Sequence, residues 1–214
     1  MHTAEISTCA GVPAKEIPRL YAEAGYRYIV VTDHWNEYTL SQFPGNTKQK
    51  NEKWLDGYKM VREGGEKLGL TVLLGVELTV PSGPEDFLLY GFTEAFMREY
   101  PRLHRENLAT VYQAADKAGL LVVQAHPFRP HLKPADPRFL HGAEVFNGNP
   151  RHENNNDKAL AFAQKHGLVQ TAGSDFHQYE DIDRGGAFLP AGITDSTQLA
   201  ECLRKGDYQL YQNE

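Results

Sequence analysis

Residues 168–177 read LVQTAGSDFH, an apolar run that turns through Gly173 and Ser174 and delivers Asp175 and His177. A short stretch apolar on both faces is the pattern of a buried strand, as in parallel sheets. The pattern recurs upstream. Residues 26–32 (YRYIVVT) lead into Asp33 and His34, and residues 70–76 (LTVLLGV) lead into Glu77. Residues 120–124 (LLVVQ) lead into Ala125, His126 and Pro127. Residues 143–146 (AEVF) lead into Asn147, with Glu144 inside the run and His152 beyond it. Residues 87–92 and 186–190 complete the set of expected strands.

Between these runs lie amphipathic stretches at 14–24, 53–68, 102–118, 156–166 and 196–205, followed by Gly25, Gly69, Gly119, Gly167 and Gly206. Glycine just past a helix is the expected stop, because it tolerates a left-handed backbone. Helix, glycine and strand in repetition predict parallel βα units and an α/β fold. Two segments are expected to be loops: the polar residues 36–51 and the proline-rich residues 127–137.

The chain has 214 residues and reads as a single domain over 1–214. Lys plus Arg is 22 and Asp plus Glu is 28, a formal charge of −6, which speaks against a broad nucleic-acid-binding surface. Cys9 and Cys202 are the only cysteines, too few for a disulfide framework or an all-cysteine zinc site. No apolar run is long enough to span a membrane, and the opening MHTAEISTCAG lacks the features of a leader, so a cytoplasmic protein is expected.

In parallel α/β folds the C-terminal ends of the strands carry the site, because the βα loops converge there. Here those ends carry imidazoles and carboxylates, a donor set suited to zinc, manganese or iron(II). One histidine at one strand end is weak evidence; four such ends together are not a coincidence of composition.

In this respect the sequence resembles the PHP family of metal-dependent phosphoesterases, named for polymerase and histidinol phosphatase. The motifs are His2-Thr3, Thr32-Asp33-His34, Gly75-Val76-Glu77, Ala125-His126-Pro127, Glu144-Val145-Phe146-Asn147 and Gly173-Ser174-Asp175-Phe176-His177, in family order. The resemblance implies a distorted (β/α)7 TIM-like barrel with two or three divalent ions at its C-terminal mouth. It implies His2, His34, Glu77, His126, Asp175 and His177 as ligands. His152 is a further ligand candidate, against a structural role for Asn154, Asn155 or Asn156 nearby. Glu5 is another, against a solvated loop carboxylate. Asp33 either assists as an acid–base group or orients His34. Arg129 either forks onto a phosphate or is an ordinary surface arginine.

The family motif is HxHT, and Met1 stands at its middle position. The expectation is therefore a barrel whose first strand is truncated, with the natural start lying earlier or another segment filling the gap. His104, His131, His141 and His166, like Arg184, Trp35 and Tyr38, are expected mostly outside the chemistry. The implied activity is hydrolysis of a small phosphate monoester by metal-activated water. The alternatives are a C–N hydrolase of amidohydrolase type and a non-catalytic, metal-stabilised module. The partner is a small phosphorylated substrate, with no membrane; the oligomeric state is open.

Overall fold

The structure, a computed structural model, describes residues 1–213. The first half of the chain runs α1 (Ile17–Glu23), β1 (Tyr28–Val31), β2 (His34–Trp35), α2 (Glu37–Ser41), α3 (Thr47–Trp54), α4 (Asp56–Lys67), β3 (Thr71–Leu74), β4 (Val76–Thr79) and β5 (Asp86–Tyr90). The second half runs α5 (Glu94–Glu99), α6 (Leu108–Lys117), β6 (Leu121–Gln124), β7 (Gly142–Asn147), α7 (Asn156–His166), β8 (Val169–Gly173), β9 (Gly185–Phe188), α8 (Ser196–Lys205) and β10 (Gln209–Gln212).

Six strands form one mixed sheet in the order β2-β4-β5-β6-β7-β8. β1 pairs with β3 in parallel, and β3 passes through Gly75 into β4, so this pair adjoins the large sheet. A Cβ on Gly75 would sit 2.9 Å from Thr32 Cγ2 and 3.0 Å from Val30 Cγ1, so the bend has no room for a side chain.

The sequence pattern predicted a parallel sheet, and the observed sheet is mixed. β5 runs antiparallel to both β4 and β6. Residues 80–85 are the cause: a link this short, with two prolines and a glycine, makes a hairpin and cannot house a crossover helix. β9 and β10 form a separate antiparallel pair. Among the described residues no strand ladder joins β8 to β1. Met1 and His2 lie between those edges: Thr32 N donates to Met1 O at 2.9 Å, and His2 N donates to Phe176 O at 3.0 Å.

The expected loop at 36–51 is instead helical. Asn36 caps α2 by accepting from Thr39 N at 2.8 Å, and Asn46 forms a reciprocal capping box with Gln49 on α3. Its polarity hid it, because few residues face inward. Buried Asn51 accepts from Trp35 Nε1 at 3.2 Å and donates to Pro101 O at 2.9 Å, which ties α3 to the core. The expected helix at 102–118 begins at Leu108, where Asn107 caps it. The proline-rich segment stays irregular apart from one short turn at Pro137–Phe139. Trp35, Trp54, Phe87, Phe92 and Phe96 pack into the main core, and α8 lays Leu199, Ala200 and Leu203 over β3, β5 and β6. Among the described residues no helix is long and apolar enough to cross a membrane.

Candidate metal centre

Strand ends bring the site together. His34 opens β2 and stands in register with Glu77 on β4. His126 follows β6 with φ +30°, and Asp175 follows β8 with φ +47°. Neither is glycine, and a positive φ at such residues is strained backbone that the surroundings must hold in place. It occurs here at two candidate ligands.

The distances converge on Glu77. Its Oε2 lies 3.0 Å from His2 Nε2, and its Oε1 lies 3.3 Å from His126 Nε2. His2 Nε2 is 3.6 Å from Asp175 Oδ1. The His2 ring is 4.5 Å from that of His34 and 4.3 Å from that of His177. Three groups of ligand atoms each fall within 4.8 Å: His2, Cys9, His34 and His177; His2, Glu77 and Asp175; His34, Glu77 and Asp86. Glu77 belongs to two of them, which is what a carboxylate between neighbouring cations would do.

The charges favour a cation. Burial alone would raise the Glu77 carboxyl, yet His126 and His2 beside it hold it well below its ordinary value. Asp175 is likewise held well below, against burial, by His2, His177 and Arg129. Burial would lower His2, but Asp175 and Glu77 outweigh it and push the imidazole up to about 10. The pair of carboxylates thus draws positive charge to this spot, and a proton supplies it here. The buried Nδ1 atoms of His34 and His126 have no hydrogen-bond partner. Buried polar groups normally have one, so donors without partners beside ionised carboxylates fit a bound divalent ion.

Supporting hydrogen bonds fix the donors. Ser7 Oγ donates to Asp33 Oδ1 at 2.7 Å and accepts from His34 N at 3.1 Å. With its proton committed, it can only accept from His2 Nδ1 at 3.2 Å, which leaves His2 Nε2 facing the carboxylates. Asp33 also accepts from Thr3 N and Thr3 Oγ1 at 2.7 and 2.8 Å. Both of its oxygens are thus engaged by the loop that carries His2. Glu144, raised by burial, accepts from His126 N and Asn147 Nδ2, both at 2.9 Å. Buried Asp181 accepts from His177 N and Gln178 N and pairs through both oxygens with Arg151, which anchors the SDFH turn.

Three candidate ligands, Glu5, His126 and His152, enter none of the three groups, though His126 keeps its 3.3 Å contact with Glu77. Glu5 is exposed and accepts from Ala14 N at 2.8 Å, so it closes a loop. His152 is exposed and enters none of the three groups; Asn154 is buried there instead, donating to Asn147 O and Asn149 O. Arg129 is not a surface arginine. It is buried, with Nη2 2.6 Å from Asp175 Oδ2 and Nε 2.8 Å from Asn154 Oδ1. His141 bonds Asp116 and Val122 N, while His104 lies 3.3 Å from Glu37 with neither ring nitrogen in a hydrogen bond. His131 and His166 are exposed, and Trp35 is core.

Cys9 and Asp86 were not singled out from the sequence. Asp86 opens an antiparallel strand, so that strand's start, not its end, reaches the mouth. Burial and Glu77 raise its carboxyl, and Thr79 Oγ1 donates to it at 2.5 Å. Cys9 sits in the turn after His2. Desolvation opposes its thiolate, but His177 and His34 outweigh it and bring the thiol down to about 6.

Residues 153–208 match the family model PHP_C, described as PHP-associated. Solved structures share the fold. A two-domain protein from Bacteroides vulgatus, described as containing a predicted PHP-like metal-dependent phosphoesterase, superposes with TM-score 0.70 and 20% identity over 100% of this chain. This chain spans 63% of that protein's length. PsfC from Pseudomonas syringae gives 0.63 and 17%, covering 99% of this chain and 89% of its own. An amidohydrolase from Chromobacterium violaceum, with bound sulfate and no metal, gives 0.57 and 16%, covering 99% of this chain and 95% of its own. No curated protein matches by sequence. The family match and the shared fold bear out the resemblance to the PHP family that the motifs carry.

Proposed function

We propose that this PHP-like chain is a metal-dependent hydrolase that cleaves a small phosphate monoester. The observation that carries the reading is the set of three donor groups at one mouth of the sheet, linked pairwise through His2, His34 and Glu77. His2, His34, Glu77, His126, Asp175 and His177, with Asp86, are the residues that would hold two or three divalent ions of the zinc, manganese or iron(II) kind. Such ions, when bound, polarise phosphoryl oxygens and lower the pKa of water toward neutrality.

The chain's own groups do the rest. Ser7 and Asp33 hold His2 with Nε2 inward. Arg129 clamps the outer oxygen of Asp175, so its other oxygen stays toward His2. A cavity of about 550 Å³ touches Glu77, His126 and Asp175 and runs from them past Tyr26 and Tyr90, toward the strand ends opposite the mouth. The same reading takes the sheet as a distorted barrel with its seam between β1 and β8, supported by the bonds of Met1 and His2 to both edges.

A C–N hydrolase is the second reading, favoured by the likeness to the amidohydrolase fold. Against it, among the described residues none of the strands ends in the lysine on which such centres commonly rest. The deciding experiment strips the protein with chelator, reloads it with zinc, manganese or iron(II), and offers phosphomonoesters beside cyclic amides. Metal-restored phosphate release that Asp175→Asn and His177→Ala abolish supports the proposal. Full phosphatase activity in chelated protein, or turnover of the amides alone, sinks it.

A further inference from the structure

Cys9 belongs to the four-donor group with His2, His34 and His177, all ligand atoms lying within 4.8 Å of one another. The turn that carries it is fixed on both sides. Ala10 N donates to Ser7 O at 2.9 Å, and Gly11 N donates to His177 O at 2.8 Å. The second bond docks the turn on the SDFH segment and holds the sulfur beside the imidazoles. His177 Nδ1 is occupied by Asp175 O at 2.7 Å, which leaves Nε2 for the group. The buried Nδ1 of His34 has no partner. Donors around a tetrahedral zinc ion lie about 3.3–3.8 Å apart, from bonds of roughly 2.0–2.3 Å. A modest contraction of this group meets that geometry, and Cys9 is exposed, so an ion can enter from that side.

We propose that Cys9 is a metal ligand, giving the centre a thiolate-bearing half that takes a borderline-soft ion, zinc or iron(II). The proposal rests on the metal-centre reading above and adds a division of labour to it. Carboxylates and imidazoles around Glu77 form a harder half, suited to manganese as well, whereas sulfur beside imidazole disfavours magnesium and manganese. The other cysteine is a natural control. Cys202 is buried on α8 and donates to Asp207 O, away from the donor groups.

The test loads the full chain with cobalt(II) in place of the native ion. A cysteine ligand adds an intense sulfur-to-cobalt charge-transfer band in the near ultraviolet, which nitrogen and oxygen ligands do not give. The expected result is that band in wild type and in Cys202→Ser, and its loss in Cys9→Ser together with about one equivalent of cobalt per chain. Cys9→Asp should regain the cobalt without the band. The Cys9 thiol should react with a thiol reagent after chelation and be protected after zinc loading. Cobalt bound at full stoichiometry with no band, and a thiol equally reactive with and without zinc, would overturn the role of Cys9 alone. A chain that takes up no divalent ion under any loading overturns the metal centre itself.

Discussion

Glu77 is placed where two imidazoles compete for one carboxylate. Its oxygens lie 3.0 Å from His2 and 3.3 Å from His126, and it is buried. Glu77→Gln keeps the shape and removes the charge. Bound metal should fall, and hydrolysis should drop about a hundredfold or more, since activation of water is lost with the ion. Metal per chain and initial rates check this; an unchanged metal content would remove Glu77 from the centre. Ser7 acts one bond further out. Ser7→Ala leaves Asp33 without one donor and His2 Nδ1 without its acceptor. Loss of such an outer partner typically weakens metal binding by about 10–100-fold, while the fold loses three hydrogen bonds, at about 1–3 kcal/mol for each buried partner left unsatisfied. Competition with a chelating dye measures the first and urea unfolding the second. A large loss of stability with unchanged affinity would make Ser7 a purely structural residue.

At the level of elements, α4 presses its first turn onto the loop that holds His2. A Cβ on Gly57 would lie 2.5 Å from Thr3 Oγ1, 2.7 Å from Ile6 Cγ1 and 2.8 Å from Asp33 Oδ2. Two effects of Gly57→Ala oppose each other. Helix propensity alone favours alanine by up to about 1 kcal/mol. Overpacking costs about 1–3 kcal/mol, and the contacted atoms are the Thr3 and Asp33 groups that bond each other. The net result should be destabilisation, read as a lower urea midpoint; a raised midpoint would show that the loop gives way freely. The same level explains what the sequence could and could not reveal. β1, β3, β6, β7 and β8 are legible because they are apolar on both faces, and α7 and α8 because Gly167 and Gly206 end them at φ +63° and +75°. The direction of β5 is not written in its composition; it follows from the short link at 80–85. Misjudging that direction hides Asp86, since only an antiparallel strand delivers its first residue to the mouth. α2 and α3 are hidden by polarity, with Trp54 and Leu40 as their few anchors. His34, Glu77, His126 and Asp175 are legible because each follows or opens an apolar strand. Cys9 is not, because a turn and the docking of Gly11 on His177 bring it in.

Across the whole molecule the formal charge is −6, yet the centre sets the pH response. Without metal, His2 binds its proton up to about 10, against an ordinary 6.5, because Asp175 and Glu77 outweigh the burial that opposes it. A pKa raised in the folded state contributes stability that is fully present below 6.5 and is lost as pH climbs toward 10. Glu77 and Asp175 are lowered from 4.5 and 3.8, so their contribution is present above those values and is lost in acid. These three groups favour the metal-free protein most between about pH 5 and 6.5, and the raised carboxyls of Asp33, Asp86 and Glu144 cut into that gain as pH rises above their ordinary values. Metal reverses the alkaline side, because an ion needs neutral imidazole and displaces the His2 proton on binding. Affinity should then rise with pH where the metal-free form is weakening. At a hundredfold excess over Kd, binding adds about 2.7 kcal/mol, worth roughly 5–10 °C for a chain of this size. The difference in Tm between zinc-loaded and chelated protein should widen steadily from pH 6 to pH 9. Thermal unfolding of both forms across that range measures it. A difference that stays constant would mean that no histidine proton is exchanged for the ion, and His2 would then not be a ligand.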